Sequence, residues 1–314
     1  MKIYFAPLEG ITDSTYRRLH RKHFPGIDKY FTPFFSPTVH RALTAKEARE
    51  LPPADVLDAQ VVPQILTKNA ADFLWFTGKC AELGYTEVNL NLGCPSGTVF
   101  AKGKGSGMLR DLDSLDRFLE EIYSGTPLPI SIKTRIGVES PEEFPKLLTV
   151  LDRYPIYELT VHPRVRTQLY KGTPNMDVFR YCVEHSHTPL CYNGNLCSQR
   201  DIAAFSQDFP SCGAVMLGRA LIADPAIACP SPVTRQQLQA FVEELTDSYV
   251  EIFGSERNTM FRMKENWFYL LRKFENSEHL GKRLRKTTDL REYRAITQEI
   301  FETLPLREEI DPNL

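Results

Sequence analysis

The sequence predicts an α/β chain, a (β/α)8 barrel followed by a small all-helical domain. Three observations carry that expectation. Eight short β-rich runs alternate with segments of helical spacing. Together these units occupy about 225 residues, the length such a barrel requires. Beyond Cys229-Pro230-Ser231-Pro232 only helical patterns remain.

The strand runs fall at 3–6, 29–35, 61–66, 87–91, 130–135, 158–162, 190–193 and 214–217. The fourth feeds a run that alternates Val88, Leu90 and Leu92 with polar partners, as a strand does. Between the third and fourth, residues 70–83 place Phe73, Leu74, Phe76, Cys80 and Leu83 at helical spacing, with Thr67 or Asn69 as cap and Gly84 at the end. A second such segment, 112–123, carries Leu115, Phe118, Leu119 and Ile122. An open doubly wound sheet is the rival architecture, but Ala6-Pro7-Leu8-Glu9-Gly10 lacks the G-x-G-x-x-G turn expected after its first strand. Past the Pro-rich linker, 236–253, 258–274, 281–286 and 289–304 read as helices, the first with Leu238, Phe241, Val242 and Leu245 on one face. The expected domains are 1–228 and 233–308.

At 314 residues, 42% hydrophobic and 25% charged, the composition is that of an ordinary globular protein. No apolar stretch reaches the length of a membrane span, and the first residues read as a strand, not as a signal peptide. Seven cysteines without a C-x-x-C point to a reduced, cytoplasmic setting. A net charge of −2 offers no global argument for a nucleic-acid partner. Locally, residues 257–294 hold eleven Lys or Arg against five Asp or Glu, which suits either a phosphate footprint or a solvated helical face.

In a (β/α)8 barrel the chemistry gathers at the C-terminal strand ends, and here those ends are polar. In order they present Pro7-Leu8-Glu9, Gln64, Asn91 with Cys94, Lys133-Thr134-Arg135, His162-Pro163-Arg164, Asn193-Gly194-Asn195 and Gly218-Arg219. A partly exposed thiol among amides and a Gly-rich loop can become reactive. Gly194 and Gly218-Arg219 follow the last two strands, where barrels often bind phosphate. Lys133 suits a developing anion on a flavin ring or a Schiff base with a carbonyl substrate, and the residue alone does not choose. Gln64 and Asn91 suit hydrogen bonding to a planar heterocycle. His185-Ser186-His187 lacks partners at metal-ligand spacing, and no metal is expected. The loop Ala101-Lys102-Gly103-Lys104-Gly105-Ser106-Gly107-Met108 is basic but is not a P-loop.

Five of these motifs, in order along the chain, resemble the tRNA-dihydrouridine synthase family: Asn89-Leu90-Asn91-Leu92-Gly93-Cys94-Pro95-Ser96, Lys133-Thr134-Arg135, Val161-His162-Pro163-Arg164 with Gln168-Leu169-Tyr170-Lys171-Gly172, Asn193-Gly194-Asn195, and Met216-Leu217-Gly218-Arg219. The resemblance implies an FMN-dependent barrel that reduces the C5=C6 bond of a uridine in tRNA, with NADPH as reductant. It implies that Pro7, Leu8, Glu9, Gln64, Lys133, His162, Asn193, Gly194, Asn195, Gly218 and Arg219 bind the cofactor, and that Cys94 donates the proton to C5. Asn91 would orient the uracil, and Arg135, Arg164, Arg166, Gln168, Tyr170 and Lys171 would meet substrate near the entrance. Candidate tRNA contacts in the helical domain are Arg262, Lys264, Arg272, Lys282, Arg283, Arg285 and Lys286, while Trp267 and Tyr269 are candidate stacking rings that more often belong to a core. No obligate protein partner is implied. The alternatives are an FMN barrel acting on a small pyrimidine or enone, and a tRNA-binding protein that keeps the scaffold without turnover. The chain departs from the family pattern at Leu8, where Met is usual, in 30–35, which lacks the usual Glu, and in the basic loop after Cys94.

Overall fold

The computed structural model of the protein describes residues 1–57, 59–231 and 233–310; of the predicted linker, Pro232 lies outside them. The chain groups into two compact units. One comprises Met1–Tyr4, Asp28–Asn195 and Phe205–Met216; the other comprises Phe5–Ile27, Leu196–Ala204 and Leu217–Leu314.

The sheet contains β1 (Lys2–Phe5), β2 (Lys29–Phe31), β3 (Val61–Val62), β4 (Gln64–Ile65), β5 (Val88–Leu92), β6 (Ile130–Arg135), β7 (Leu159–His162), β8 (Leu190–Tyr192) and β9 (Ala214–Leu217), in the order β3-β2-β1-β9-β8-β7-β6-β5-β4. These nine segments are eight strands, as the sequence predicts, because β3 and β4 are one run divided at Pro63, which has no N–H for the ladder. β3 pairs with β2 on one side (Tyr30 opposite Val61), and β4 pairs with β5 on the other (Gln64 opposite Asn89). A further bridge between Phe35 and Ile65 continues the β2 contact, so the parallel ring closes through this interrupted strand. The helices Ala70–Glu82 and Leu112–Gly125 bury the predicted faces, with Phe73, Phe76, Cys80, Leu115, Leu119 and Ile122 each at most 1% exposed. Asn69 caps the first of them by accepting the Asp72 N–H at 2.9 Å.

At the N-terminal end of the strands a buried charge cluster fills the barrel. The Lys29 ammonium lies 2.7 Å from Glu87 and 3.7 Å from Glu158, and Tyr4 donates its hydroxyl to Glu158 at 2.8 Å. Burial alone would pull the Lys29 pKa down, but the carboxylates raise it, while burial raises that of Glu158. Lys29 is thus held as a cation that neutralises two carboxylates out of water's reach.

In the other unit the helices Arg235–Phe253, Glu256–Leu270, Glu278–Lys286 and Leu290–Thr303 occupy the predicted stretches. Thr234 and Gln237 form a reciprocal cap at the first, and Gly254 ends it at φ +54°, a left-handed conformation that favours glycine. Leu238, Phe241, Val242, Leu245, Trp267, Ile296 and Ile300 are buried between these helices. Helix Ser14–His23 belongs to this unit because Tyr16 sets its ring edge-on to Phe241 at 5.6 Å and Tyr249 donates to the capping residue Asp13 at 2.9 Å. No helix among the described residues is long and apolar enough to cross a membrane.

Candidate active site

The centre of the site is the end of β5. Strand alternation turns Asn89 and Asn91 to the same side, together with Gln64 of β4 and Ser131 of β6. Their side chains form one chain of hydrogen bonds. Asn89 donates to the Ser131 hydroxyl at 2.9 Å, Gln64 donates to the Asn89 carbonyl at 2.7 Å, and Asn91 donates to the Gln64 carbonyl at 2.8 Å. The Asn91 oxygen then accepts the backbone N–H groups of Gly93 (3.1 Å) and Cys94 (2.9 Å). Gln64 and Asn89 are fully buried and Asn91 nearly so. Buried amides require partners, and here each one satisfies the next until the series ends on the Cys94 loop. Asn89 and Ser131 are not singled out by the sequence, although their place on the same face as Asn91 and Gln64 follows from the two-residue strand period.

Cys94 is half-buried, whereas the other six cysteines are buried. Its carbonyl accepts both the N–H (3.3 Å) and the hydroxyl (2.7 Å) of Ser106, which folds the basic loop back on it. Gly105, at φ +56°, makes this approach possible: a β-carbon there would lie 3.0 Å from that of Cys94.

Beside Cys94 lie two cations that the barrel strips of water. Lys133 is half-buried and donates to Asn193 at 2.6 Å, and Asn193 in turn donates to the Met216 carbonyl at 2.7 Å. Desolvation first, and the Arg135 charge second, lower the Lys133 pKa to about 8. Arg135 is buried and donates to the carbonyls of Gly93 (3.1 Å) and Val165 (3.0 Å); burial lowers its pKa to about 10. A thiolate at Cys94 would raise the pKa of both, so the thiol and the two cations share one electrostatic environment. Arg135 also lies against the ring of Tyr170, 5.5 Å from its centroid.

Arg164 is fully buried and holds the next loop together, donating to the carbonyls of Gly172 (2.6 Å) and Lys171 (3.3 Å) and to Asn195 (3.3 Å). It also meets Nε2 of His162 at 3.0 Å. A guanidinium only donates, so Nε2 accepts and the neutral imidazole keeps its proton on Nδ1. Gln168 accepts the Val165 N–H at 3.0 Å, and Tyr170 remains about half exposed. Arg166 lies over Phe100, 4.1 Å from the ring centroid, and its Nε is buried with no hydrogen-bond partner among the described residues.

Within the other unit, the Ala6 N–H donates to the Leu217 carbonyl at 2.8 Å. That bond sets the turns Pro7-Leu8-Glu9 and Gly218-Arg219 side by side. Thr12 closes the first by accepting the Leu8 N–H at 2.8 Å. Gly194 in the barrel is required by its own strand, since a β-carbon there would overlap the Tyr192 hydroxyl. At Gly218 a β-carbon would lie 3.4 Å from Ala6 and 3.6 Å from Leu8, both ordinary contacts.

The basic helical residues differ in how they are engaged. Arg262 lies 3.8 Å from Asp13 and 3.7 Å from Glu265, Lys264 donates to the Thr287 carbonyl, and Arg283 pairs with Glu299 at 2.7 Å. Lys282, Arg285 and Lys286 are exposed. Of the expected rings, Trp267 is core, donating to the Tyr293 hydroxyl at 2.9 Å, and Tyr269 is half-buried. The exposed rings are Phe261 (60%) and Phe268 (58%), each beside an arginine: Arg257 at 5.7 Å and Arg272 at 6.0 Å. Their seven-residue spacing, beside and not on the face of Met260, Met263 and Trp267, is the sequence signal for them.

Known proteins resemble this chain over most of its length. A family profile described as dihydrouridine synthase matches residues 4–309. The chain is 27% identical over 282 residues to the tRNA-dihydrouridine synthase B of Proteus vulgaris, covering 84% of each, and 28% identical over 244 residues to the tRNA-dihydrouridine(16) synthase of Escherichia coli K12, covering 73% of this chain and 74% of that one. Among solved structures, histamine dehydrogenase from Rhizobium sp. 4-9 aligns with a TM-score of 0.53 at 11% identity, covering 78% of this chain and 46% of that one. A morphinone reductase in complex with tetrahydroNAD aligns with a TM-score of 0.50 at 11% identity, covering 72% and 85%. Those two likenesses establish the barrel fold. The match across nearly the whole length establishes more: this chain belongs to the dihydrouridine synthase family.

Proposed function

We propose that the chain reduces the C5=C6 bond of a uridine in tRNA to 5,6-dihydrouridine, with FMN as cofactor, NADPH as reductant and Cys94 as the proton donor to C5. The observation that carries the reading is the setting of Cys94. It is the one cysteine among the described residues that is not buried, its backbone is held on both sides by Asn91 and Ser106, and it shares a field with Lys133 and Arg135. The names of the relatives, tRNA-dihydrouridine synthases, support the substrate.

The residues fit a flavin mononucleotide. Lys133 is a half-buried cation whose bonded oxygen is a neutral amide, Asn193, and no carboxylate pairs with it among the described residues. A desolvated ammonium of this kind is stabilised by a group that gains negative charge. Gly218 and Arg219 follow the last strand, where barrels often bind phosphate. When bound, the flavin supplies the hydride for C6. On this reading Lys133, His162, Asn193 and Asn195 hold the cofactor on the barrel side, and the family pattern adds Pro7, Leu8, Glu9, Gly194, Gly218 and Arg219. Gln64 acts from behind Asn91.

Cys94 holds a proton where C5 would lie. An ordinary thiol, with a reference pKa near ~8.5, is mostly protonated at neutral pH and can surrender that proton to a carbanion-like centre. The neighbouring cations then stabilise the thiolate that results. Asn91 keeps the thiol aimed by fixing two consecutive N–H groups, and Arg135 fixes the same turn through the Gly93 carbonyl. His162 is oriented by Arg164. A uridine in folded RNA must leave its stack to reach the site, at a cost of a few kcal/mol. Exposed cations on 257–294 and the rings of Phe261 and Phe268 offset that cost through phosphate contact and stacking. Replacing Cys94 by Ala tests the assignment: dihydrouridine formation falls by about 10²- to 10⁴-fold while FMN and tRNA still bind. Turnover equal to the native protein's would sink it.

A further inference from the structure

The basic loop after Cys94 is absorbed by none of the roles above, and its position gives it one. We propose that Lys68, Lys102 and Lys104 form a binding site for the RNA sugar-phosphate backbone next to the nucleotide that enters at Cys94. The proposal rests on tRNA being the substrate.

The first support is that the loop cannot drift from the thiol. Ser106 holds the Cys94 carbonyl through two hydrogen bonds, Gly105 packs directly on Cys94, and a β-carbon at Gly107 would lie 2.8 Å from the Phe100 carbonyl. Lys102 and Lys104 therefore belong to a loop held beside the reacting position. The second support is that three ammonium groups converge around a single carboxylate. Lys104 donates to the Ser36 hydroxyl at 2.9 Å, and the Lys68 ammonium lies 3.5 Å from where a side chain at Gly103 would begin. Desolvation lowers the Lys104 pKa, and Lys102 and Lys68 add to that through repulsion; Asp72 is the carboxylate that opposes them. Asp72 acts on Lys104 more strongly than either lysine does, but it is shared with Arg41 at 3.0 Å, so one carboxylate serves four cations.

The positive field continues on the same wall. Arg110 lies 4.5 Å and Arg166 4.1 Å from the Phe100 ring centroid, and the Arg166 Nε is buried without a partner among the described residues. Like charges gathered on neighbouring segments favour an anion that relieves them. Their spread from Lys68 to Arg166 suits a chain of phosphates better than the single extra phosphate of NADPH.

The test uses the full-length, flavin-loaded protein and an unmodified tRNA transcript, with binding measured by filter retention over a range of KCl concentrations. In Lys68→Ala and in Lys102→Ala the slope of log affinity against log salt becomes shallower by about 0.7 to 0.9 for each phosphate that the protein no longer neutralises. KM for tRNA rises several-fold, and Lys102→Arg restores the native slope. Ser36→Ala, which keeps every charge, retains it. Native slopes in both alanine variants, or a shallower slope in Ser36→Ala, overturn the proposal. So does a rise in KM for NADPH, measured without tRNA, in place of the rise for tRNA. Binding is read independently of turnover: a native protein that never forms dihydrouridine refutes the proposed reaction, while the salt slopes still report on the lysines.

Discussion

The side-chain oxygen of Asn91 accepts the backbone N–H of Cys94 at 2.9 Å, and the opposite end of the same amide donates to Gln64 at 2.8 Å. An asparagine at a strand end is thus committed at both ends before any ligand arrives. It fixes the thiol to the barrel interior and not to its own loop alone.

Removing that link should therefore damage chemistry more than binding. Asn91→Ala leaves the N–H groups of Gly93 and Cys94 without their acceptor, at a cost of about 1 to 3 kcal/mol for a buried group. A thiol displaced by ~1 Å loses on the order of 10²-fold in rate. The expected outcome is a kcat lowered by about that factor with KM for tRNA little changed, measured by dihydrouridine formation. A rise in KM at native kcat would mean that Asn91 serves the substrate and not the loop.

Lys133 predicts a pH dependence of cofactor binding. Its pKa in the protein is about 8, below the ordinary lysine value, so the ammonium is lost as pH rises through that region. FMN that needs the cation binds with constant affinity below pH 8 and progressively more weakly above it. In the absence of FMN the same shift makes folding stability rise with pH between about 8 and the ordinary lysine pKa of ~10.4, because the unfolded chain holds a proton the folded chain has released. Flavin fluorescence quenching across this range measures the first effect. An affinity unchanged from pH 7 to 9.5 would contradict it, and Lys133→Arg, charged throughout, should flatten the profile.

At the far end of the barrel, Lys29 tests stability apart from chemistry. Lys29→Met strands Glu87 and Glu158 as unpaired buried carboxylates and should lower the unfolding free energy by about 3 to 5 kcal/mol. Urea denaturation reads the change. The folded fraction should keep its kcat, because the cluster lies at the opposite strand ends from Cys94.

Phe261 and Phe268 offer a test of the helical region. Stacking on an unpaired base is worth about 1 to 3 kcal/mol, so Phe268→Ala should weaken tRNA binding by that amount if its ring meets a base. Both rings are exposed, so the same change should leave the thermal midpoint near native. Native tRNA affinity in the double alanine variant would remove these rings from the interface.

The barrel is legible in the sequence because period-2 runs and helical spacing alternate so regularly, and because a strand's last residues declare what stands at its mouth. The run 61–66 reads as one strand, and the structure divides it only at Pro63. The strand-end residues are legible as types but not as roles. Arg164 and Gln64 read as ligand contacts; the structure adds that each is fully buried and bonded to its neighbours, which depends on loop paths that no local pattern encodes. Asn89 and Ser131 escape a sequence reading because a polar residue inside a strand looks ordinary until its partners across the sheet are known. Trp267, a candidate stacking ring, lies in the core, and the exposed ring is Phe268, the next residue along the helix, which is not among the candidates. Periodicity resolves such a difference only once the register of the buried face is fixed.

The most direct measurement is the visible spectrum of the purified protein, followed under anaerobic conditions through addition of NADPH and then of unmodified tRNA. The expected result is a flavin spectrum that NADPH bleaches and unmodified tRNA restores, with one dihydrouridine formed for each flavin reoxidised. A protein that stays colourless after reconstitution with FMN, or a reduced flavin that unmodified tRNA leaves bleached, would contradict it.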